Sequence, residues 1–159
     1  MKLRKPYRIL LPFAIISLLF IAYIHISKDK IVSSAILDKT NNAVAVNVQN
    51  PFIVPITIYN SKVVDKEEKE MPATAYSIIL NGSYGSSDAT VDQAVISRKT
   101  DVFEELKEVD IPGASNRKEK NYTLYMREED EKLRMDTARE VSISFKVLSF
   151  LPFHTKVIL

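Results

Sequence analysis

The stretch ILLPFAIISLLFIAYIHI, residues 9–26, carries no charged side chain and constrains this chain more than any other segment. As an α-helix it would extend roughly 27 Å at about 1.5 Å per residue, close to the roughly 30 Å hydrocarbon core of a bilayer. A soluble surface helix keeps a polar face, which this stretch lacks. The sequence therefore predicts a cytoplasmic tail over residues 1–8 and a transmembrane helix over 9–27.

Charge on the two sides of this helix predicts its orientation. The tail before it has four basic residues and no acidic one, whereas Lys28, Asp29 and Lys30 after it are mixed. Basic residues concentrate on the cytoplasmic side of membrane helices. We therefore expect a single-pass protein of the cell membrane, with its C-terminal domain outside the cytoplasm.

A cleaved signal peptide is the competing interpretation of the same segment. Signal peptides have an apolar region of about 7–15 residues, closely followed by a small-residue cleavage site. Here the apolar run is longer, and the first small pair, Ser33 and Ala35, lies well beyond it. The pattern favours an uncleaved anchor. Pro12 is expected in the first helical turn, where its missing N–H costs little.

Composition limits the chemistry of the extracytoplasmic part. Without the four basic residues of the tail, the 22 basic residues of the chain fall to 18 against 20 acidic, a net charge of −2. That balance argues against nucleic acid or anionic lipid headgroups as the main partner. The absence of Cys excludes disulfides, thiolate catalysis, Fe–S clusters and a lipoprotein anchor.

Beyond the helix, continuous apolar sequence gives way to alternation. Residues 28–42 are expected to form a stalk that leads into the domain, in which 31–37 could already be the first strand. Residues 43–159 are expected to form the extracytoplasmic domain. In 43–49 the valines alternate with smaller or polar residues, and 56–59 repeats the pattern. Such a period of two predicts strands with one buried face.

The rest of the chain continues as short strands between polar turns. Charged or turn-forming segments at 64–70, 81–88 and 128–131 separate them. For 101–109 a short helix and an irregular edge strand both remain open. The predicted strands are 74–80, 89–96, 121–127, 139–149 and 153–158, the last pairing antiparallel with its predecessor across a corner at 150–152. About seven strands and no second long helix predict an all-β fold, an antiparallel β-sandwich of the immunoglobulin or fibronectin type.

One short motif supports that fold. Asn50-Pro51 ends the strand 43–49, because Pro51 cannot donate a ladder hydrogen bond and biases Asn50 toward extended geometry. Pro55 is expected either on an edge strand or at the start of the next strand. We interpret the motif as a corner at which the Asn50 side chain satisfies nearby backbone groups.

The order of alternating valines, Asn50-Pro51-Phe52 and a second strand resembles the late-embryogenesis-abundant-like (water-stress) β-sandwich domain. The closing segment 141–158 is similar to the final hairpin of that family, and anchored bacterial versions are the nearest comparison. In this chain Phe52 stands where a second Asn often follows. The resemblance implies a fibronectin-like sandwich without catalytic residues and names no substrate.

Candidates for chemistry are few, and we predict no catalytic, cofactor-binding or metal-ligating residue. His25 ends the apolar run and His154 lies near the C-terminus, and neither has a ligand or base partner nearby in sequence. Ser83 and Ser86 follow glycines but lack a Gly-x-Ser-x-Gly nucleophile turn. The carboxylate clusters lack the EF-hand order, and no phosphate-binding glycine motif occurs.

Two non-enzymatic functions fit these features. The first is an anchored β-sandwich that binds a protein or another envelope component through loops or sheet edges. The alternative is a domain that binds a lipid or a small apolar ligand between its sheets. The aromatic residues that would line such a cleft are Phe52, Phe103, Tyr122, Phe145 and Phe150.

Overall fold

The computed structural model describes residues 7–39, 42–81, 104–114, 120–127 and 135–159. It opens with helix α1, Tyr7–Ser27, followed directly by a 3₁₀ turn, Lys28–Ile31. Within the described residues this is the one helical segment long and apolar enough to cross a membrane. Pro12 lies inside α1 beyond its first turn, contrary to expectation, because the helix begins at Tyr7. Pro12 therefore removes one backbone hydrogen bond from the interior of the helix.

The remaining described elements are almost all strands. In chain order they are β1 (Val32–Asp38), β2 (Ala43–Val48), β3 (Ile56–Asp65), β4 (Glu70–Met71), β5 (Thr74–Asn81), β6 (Glu104–Glu105), β7 (Val109–Ile111), β8 (Lys120–Arg127), β9 (Ala138–Val147) and β10 (Leu151–Ile158). A 3₁₀ turn, Met135–Thr137, precedes β9. An apolar N-terminal helix followed by antiparallel β-structure is thus confirmed. The described residues hold ten strands: six of the seven predicted strands, the strand β1 in the segment predicted as a stalk, and the short strands β4, β6 and β7 in connections.

The strands form two antiparallel sheets. The first has the order β1-β2-β8-β5-β6, and the second has the order β10-β9-β3-β4 with β7 also pairing with β3. β1 pairs with β2 over most of its length, so part of the segment predicted as a stalk belongs to the first sheet. Among the described strands, the long ones at a sheet edge are β1 in one sheet and β10 in the other.

The C-terminal hairpin follows the sequence pattern closely. In β9 the alternating residues Val141, Ile143, Phe145 and Val147 are all fully buried, while the residues between them are partly exposed. β10 pairs antiparallel with β9 throughout, as predicted. Its strand begins at Leu151, earlier than expected, because the reversal occurs in the tighter turn at 148–150, where two residues have positive φ.

One contiguous core draws on both sheets and on α1. Its buried members include Val44, Val46, Leu124 and Met126 from the first sheet, Ile56, Ile58, Ile143 and Phe145 from the second, and Ile24 and Ile31 from the helical segment. A single shared core means that the two sheets and the end of the helix fold as one packed unit.

The prediction of one buried face is wrong for the interior strands. Consecutive residues of β2, Ala43 to Val46, are all buried, and so are Tyr122 to Met126 of β8. Ala45 lies directly between Tyr125 on β8 and Ile36 on β1 in the register of the sheet. Larger neighbours on both sides can shield a small side chain from solvent, which sequence alternation alone does not reveal.

The remaining predicted segments fall partly inside and partly outside the described residues. The window 101–109 is not helical where it is described, since β6 and the start of β7 lie in it, which favours the edge-strand alternative. The predicted strand 89–96, the basic residues of the tail before Tyr7, and the turns 82–88 and 128–131 lie outside the described residues. Within the charged segment 64–70, residues 66–69 form the predicted exposed turn between β3 and β4.

Candidate functional site at the junction of helix and domain

Among the described residues, the two histidines weighed from sequence lie on separate elements. His25 is exposed on α1, and His154 is exposed on the edge strand β10, on a different element. Among the described residues no three His, Cys, Asp or Glu side chains form a cluster that could hold a metal ion. Ser83, Ser86 and Phe103 lie outside the described residues.

Asp65 and Glu70 have structural roles in the hairpin of β3 and β4. Asp65 Oδ1 accepts hydrogen bonds from the backbone N–H groups of Glu67 and Lys69, which shapes the turn between β3 and β4. Lys62 and Glu70 form a 2.6 Å ion pair across the same hairpin. Both partners are largely exposed, and exposed pairs contribute little to stability.

In the part of the chain that the structure describes, two ionisable groups have shifted pKa values, and both shifts have structural causes. Burial in β8 raises the pKa of Tyr122, since its charged form would lose solvation. The hydrogen bond and charge of Glu140 raise the pKa of Lys156 on β10. These residues lie on different sheets, so the shifts do not identify an acid–base site.

The distinctive feature of the molecule is the junction between α1 and the β-domain. Ile24 near the end of α1 and Ile31 in the 3₁₀ turn are both fully buried within the shared core, and Ser27 between them is also buried. Phe20, one turn earlier, packs against the same core. The spacing of 20, 24 and 27 places these residues on one helical face.

Polar contacts fix the 3₁₀ turn between β10 and the segment that follows β2. On the β10 side, Lys28 Nζ donates to the carbonyl of His154 at 3.2 Å, and the fully buried Thr155 Oγ1 donates to Asp29 Oδ1 at 2.7 Å. On the other side, the backbone N–H of Gln49 donates to the carbonyl of Ile31 at 2.8 Å. The turn therefore bridges the second sheet and the segment that leaves β2.

A series of aromatic rings connects the helix to the core. Tyr23 meets Phe52 edge to face, with ring centroids 6.0 Å apart. Phe52 stacks on Phe145 at 6.4 Å, and Phe145 stacks on Phe153 at 5.8 Å. Such ring pairs add stabilisation of about 0.5–1.5 kcal/mol each beyond area burial. The helix end is thus held by specific packing as well as by chain connection.

Asn50 organises the loop that carries Phe52. Its side chain is 2% exposed, and Nδ2 lies 2.8 Å from the carbonyl oxygen of Val54, 3.1 Å from that of Ile111 and 3.0 Å from that of Pro112. Its Oδ1 accepts the backbone N–H of Phe52 at 2.9 Å. The predicted corner with a backbone-satisfying Asn50 is confirmed, and it ties residues 50–54 to the end of β7.

The loops on either side of this corner approach closely. A Cβ added to Gly113 would lie 2.2 Å from the carbonyl oxygen of Ile53, so only glycine fits there. The N–H of Ala114 donates to the carbonyl of Phe52 at 2.6 Å, and the N–H of Leu148 donates to that of Pro55 at 3.2 Å. Segments 50–55, 111–114 and 148–150 therefore form one continuous end of the domain.

The three described segments of that end are uncharged and expose large apolar side chains. None of its three segments contains a charged residue, although charged residues make up 26% of the chain. Ile53 is 79% exposed, Phe150 is 69% exposed and Leu148 is partly exposed. We refer to Ile53, Leu148 and Phe150 as the apolar rim.

Sequence reasoning found the Asn50 corner but missed the junction itself. Ile24 and Ile31 join α1 to the core. Ile24 lies within the apolar run and Ile31 shortly after it, and no local sequence pattern marks either residue as a contact of a β-domain. Comparison of this chain with protein-family models, with curated proteins and with solved structures found no match.

Proposed function

We propose that this chain is a single-pass membrane protein that presents a β-sandwich outside the cytoplasmic membrane and binds a protein or envelope component there, without catalysing a reaction. The N-terminus would lie in the cytoplasm, in keeping with the basic tail. The immunoglobulin- or fibronectin-like form of the sandwich is part of the proposal. Its support is the single core shared by two antiparallel sheets.

The burial of the helix end in the domain core carries this proposal. Cleavage after α1 would remove Ile24 and Ser27 from the packed unit and leave Phe52 without its contact to Tyr23. A signal peptide is discarded, so its residues have no reason to complete the core of the mature domain. The junction therefore favours a retained anchor over a cleaved signal.

The edge strands offer a binding mode for a partner. Within the described residues, β10 pairs only with β9 in its sheet, and its outer end carries Ile158, which is 76% exposed. Pro152 and Lys156 lie on the same strand, and such residues limit indiscriminate pairing of edges. A selective partner strand could add to the half of β10 that lies beyond the Lys28 contact at His154.

The alternative of an apolar ligand held between the sheets receives less support. Phe52, Phe145 and Tyr122, three of the aromatic residues that motivated it, are buried in the packed core. Phe52 and Phe145 stack on each other, which uses the ring faces that a ligand would contact. Phe150 is exposed outside that core.

The anchoring part can be tested on the full chain produced in bacterial membranes. We expect the intact mass to retain residues 1–27, the protein to resist alkaline carbonate extraction, and added protease to digest the domain from the outside only. A soluble mature chain that begins after residue 27 would contradict the proposal.

The binding part can be tested by site-specific photocrosslinking in native membranes. A photoreactive residue placed at Lys156 or Ile158 on β10 should yield one adduct of defined mass, which added purified domain-bearing chain competes away. The same residue at Glu67, in the exposed turn at another edge, serves as the control. Equal, non-competed labelling at all three positions, or no adduct at any of them, would refute the partner site on β10.

A further inference from the structure

The apolar rim lies at the end of the domain from which α1 leaves. Phe52 contacts Tyr23 of the helix, and Ile53 is the next residue along the chain. The turn that holds Leu148 and Phe150 is bonded to the same loop through Pro55. The rim therefore stands beside the outer part of the proposed membrane helix.

The length of α1 indicates how deep this end lies. The helix has 21 residues and extends about 31 Å, enough for the roughly 30 Å hydrocarbon core only when its whole length is used. The apolar residues that precede Phe20, 9–19, extend only about 17 Å. To span the hydrocarbon core, α1 therefore needs its turns from Phe20 onward. One face of these turns is packed against the β-domain.

The opposite face of those turns supports the same placement. Ile26 is 77% exposed although Ile24, two residues earlier, is fully buried, and Ile21 is also exposed. These side chains face away from the domain and match a lipid environment. The last turns of α1 thus have protein on one side and apolar exposed side chains on the other, which puts the end of the domain at the depth of the lipid interface.

From this geometry we infer that Ile53 and Phe150, together with Leu148, insert into the outer interface of the bilayer and seat the domain directly on the lipid surface. The inference rests on the proposed membrane anchoring. Exposed apolar side chains next to a membrane segment gain free energy by leaving water, at about 25 cal/mol per Å² of apolar surface. Because the three segments of this end are uncharged, insertion depends on apolar burial and requires no anionic lipid.

The chain contains no cysteine, so single-cysteine labelling tests the inference directly. The full chain, reconstituted into phosphatidylcholine vesicles, would carry an environment-sensitive fluorophore at Ile53→Cys or Phe150→Cys. Ile158→Cys, equally exposed and apolar but at the other end of β10, is the matched control. Leu18→Cys, exposed in the middle of α1, reports membrane insertion of the helix itself.

We expect shallow lipid-attached quenchers to reduce fluorescence severalfold more at positions 53 and 150 than at position 158, and aqueous iodide to do the reverse. The same result is expected after replacing a third of the lipid with an anionic one. If position 18 is shielded from iodide while 53 and 150 behave like 158, the seating inference fails and the anchoring proposal stands. If position 18 is itself open to iodide, anchoring fails and the inference fails with it.

Discussion

Replacement of Asn50 by alanine should destabilise the domain more than any other single amide replacement in the described residues. Alanine removes the donor to three carbonyl oxygens and the acceptor of the Phe52 N–H. An amide group forms about three effective hydrogen bonds here, and each contributes about 0.5–1.5 kcal/mol, with buried partners left unsatisfied. The expected loss is about 2–4 kcal/mol.

For a domain of this size, a loss of 1 kcal/mol lowers Tm by roughly 3–5 °C, so Asn50→Ala should lower Tm by about 10 °C. Thermal unfolding of the full chain in mild detergent, followed by circular dichroism in the β-sheet region, measures it. Gln49→Ala is the matched control, because the neighbouring amide donates to the carbonyl of Lys30 in an exposed setting. We expect its effect to stay below about 1 kcal/mol.

A second variant, Asn50→Asp, separates hydrogen bonding from shape. The carboxylate can still accept the Phe52 N–H, but it has no donor for the three carbonyl oxygens that surround it. Burial beside these oxygens should raise the pKa of the new carboxyl above its unfolded value, so the variant should recover stability as pH falls through that raised pKa. Unfolding temperatures of Asn50→Ala and Asn50→Asp that both match Gln49→Ala would refute this reasoning.

Three further predictions concern the junction, the loops and the core. Ile24→Ala should destabilise the β-domain by about 2–4 kcal/mol in thermal unfolding although it lies in the helix, whereas Ile26→Ala, on the exposed face, should change it by less than about 0.5 kcal/mol. Gly113→Ala should lower Tm by at least several degrees because the new Cβ would collide with the backbone oxygen of Ile53. Burial raises the pKa of Tyr122, so as pH rises the phenol of the unfolded state loses its proton first. The free energy of unfolding should therefore fall as pH rises past about 10 toward the pKa of the folded state. Tyr122→Phe should reduce this alkaline loss of stability, measured by urea unfolding.

Each of these has an outcome that would contradict it. Equal effects of Ile24→Ala and Ile26→Ala would mean that the helix does not pack on the domain. An unchanged unfolding temperature for Gly113→Ala would show that the two loops can separate without cost. If the free energy of unfolding has the same pH dependence in wild type and Tyr122→Phe, burial of the phenol does not cause the alkaline loss of stability.

Local sequence patterns determined most of the secondary structure of this protein. The apolar run 9–26 became α1 because a long stretch without a polar face satisfies its backbone internally as a helix. The alternation of Val141, Ile143, Phe145 and Val147 became β9 because a period of two places those side chains on one buried face. Asn50-Pro51 predicted a corner, because the restrictions imposed by proline act on its immediate neighbours.

Tertiary packing decided where those elements meet and what the molecule offers to its surroundings. The burial of Ala45 depends on larger neighbours in adjacent strands, and the contact of Asn50 with Ile111 joins residues 61 positions apart. Nothing local to the helix indicates that Ile24 faces a β-domain while Ile26 faces outward, because both are isoleucines in one apolar run. Burial and long-range hydrogen bonds depend on the whole folded chain, so only the tertiary structure revealed the junction and its uncharged, apolar rim.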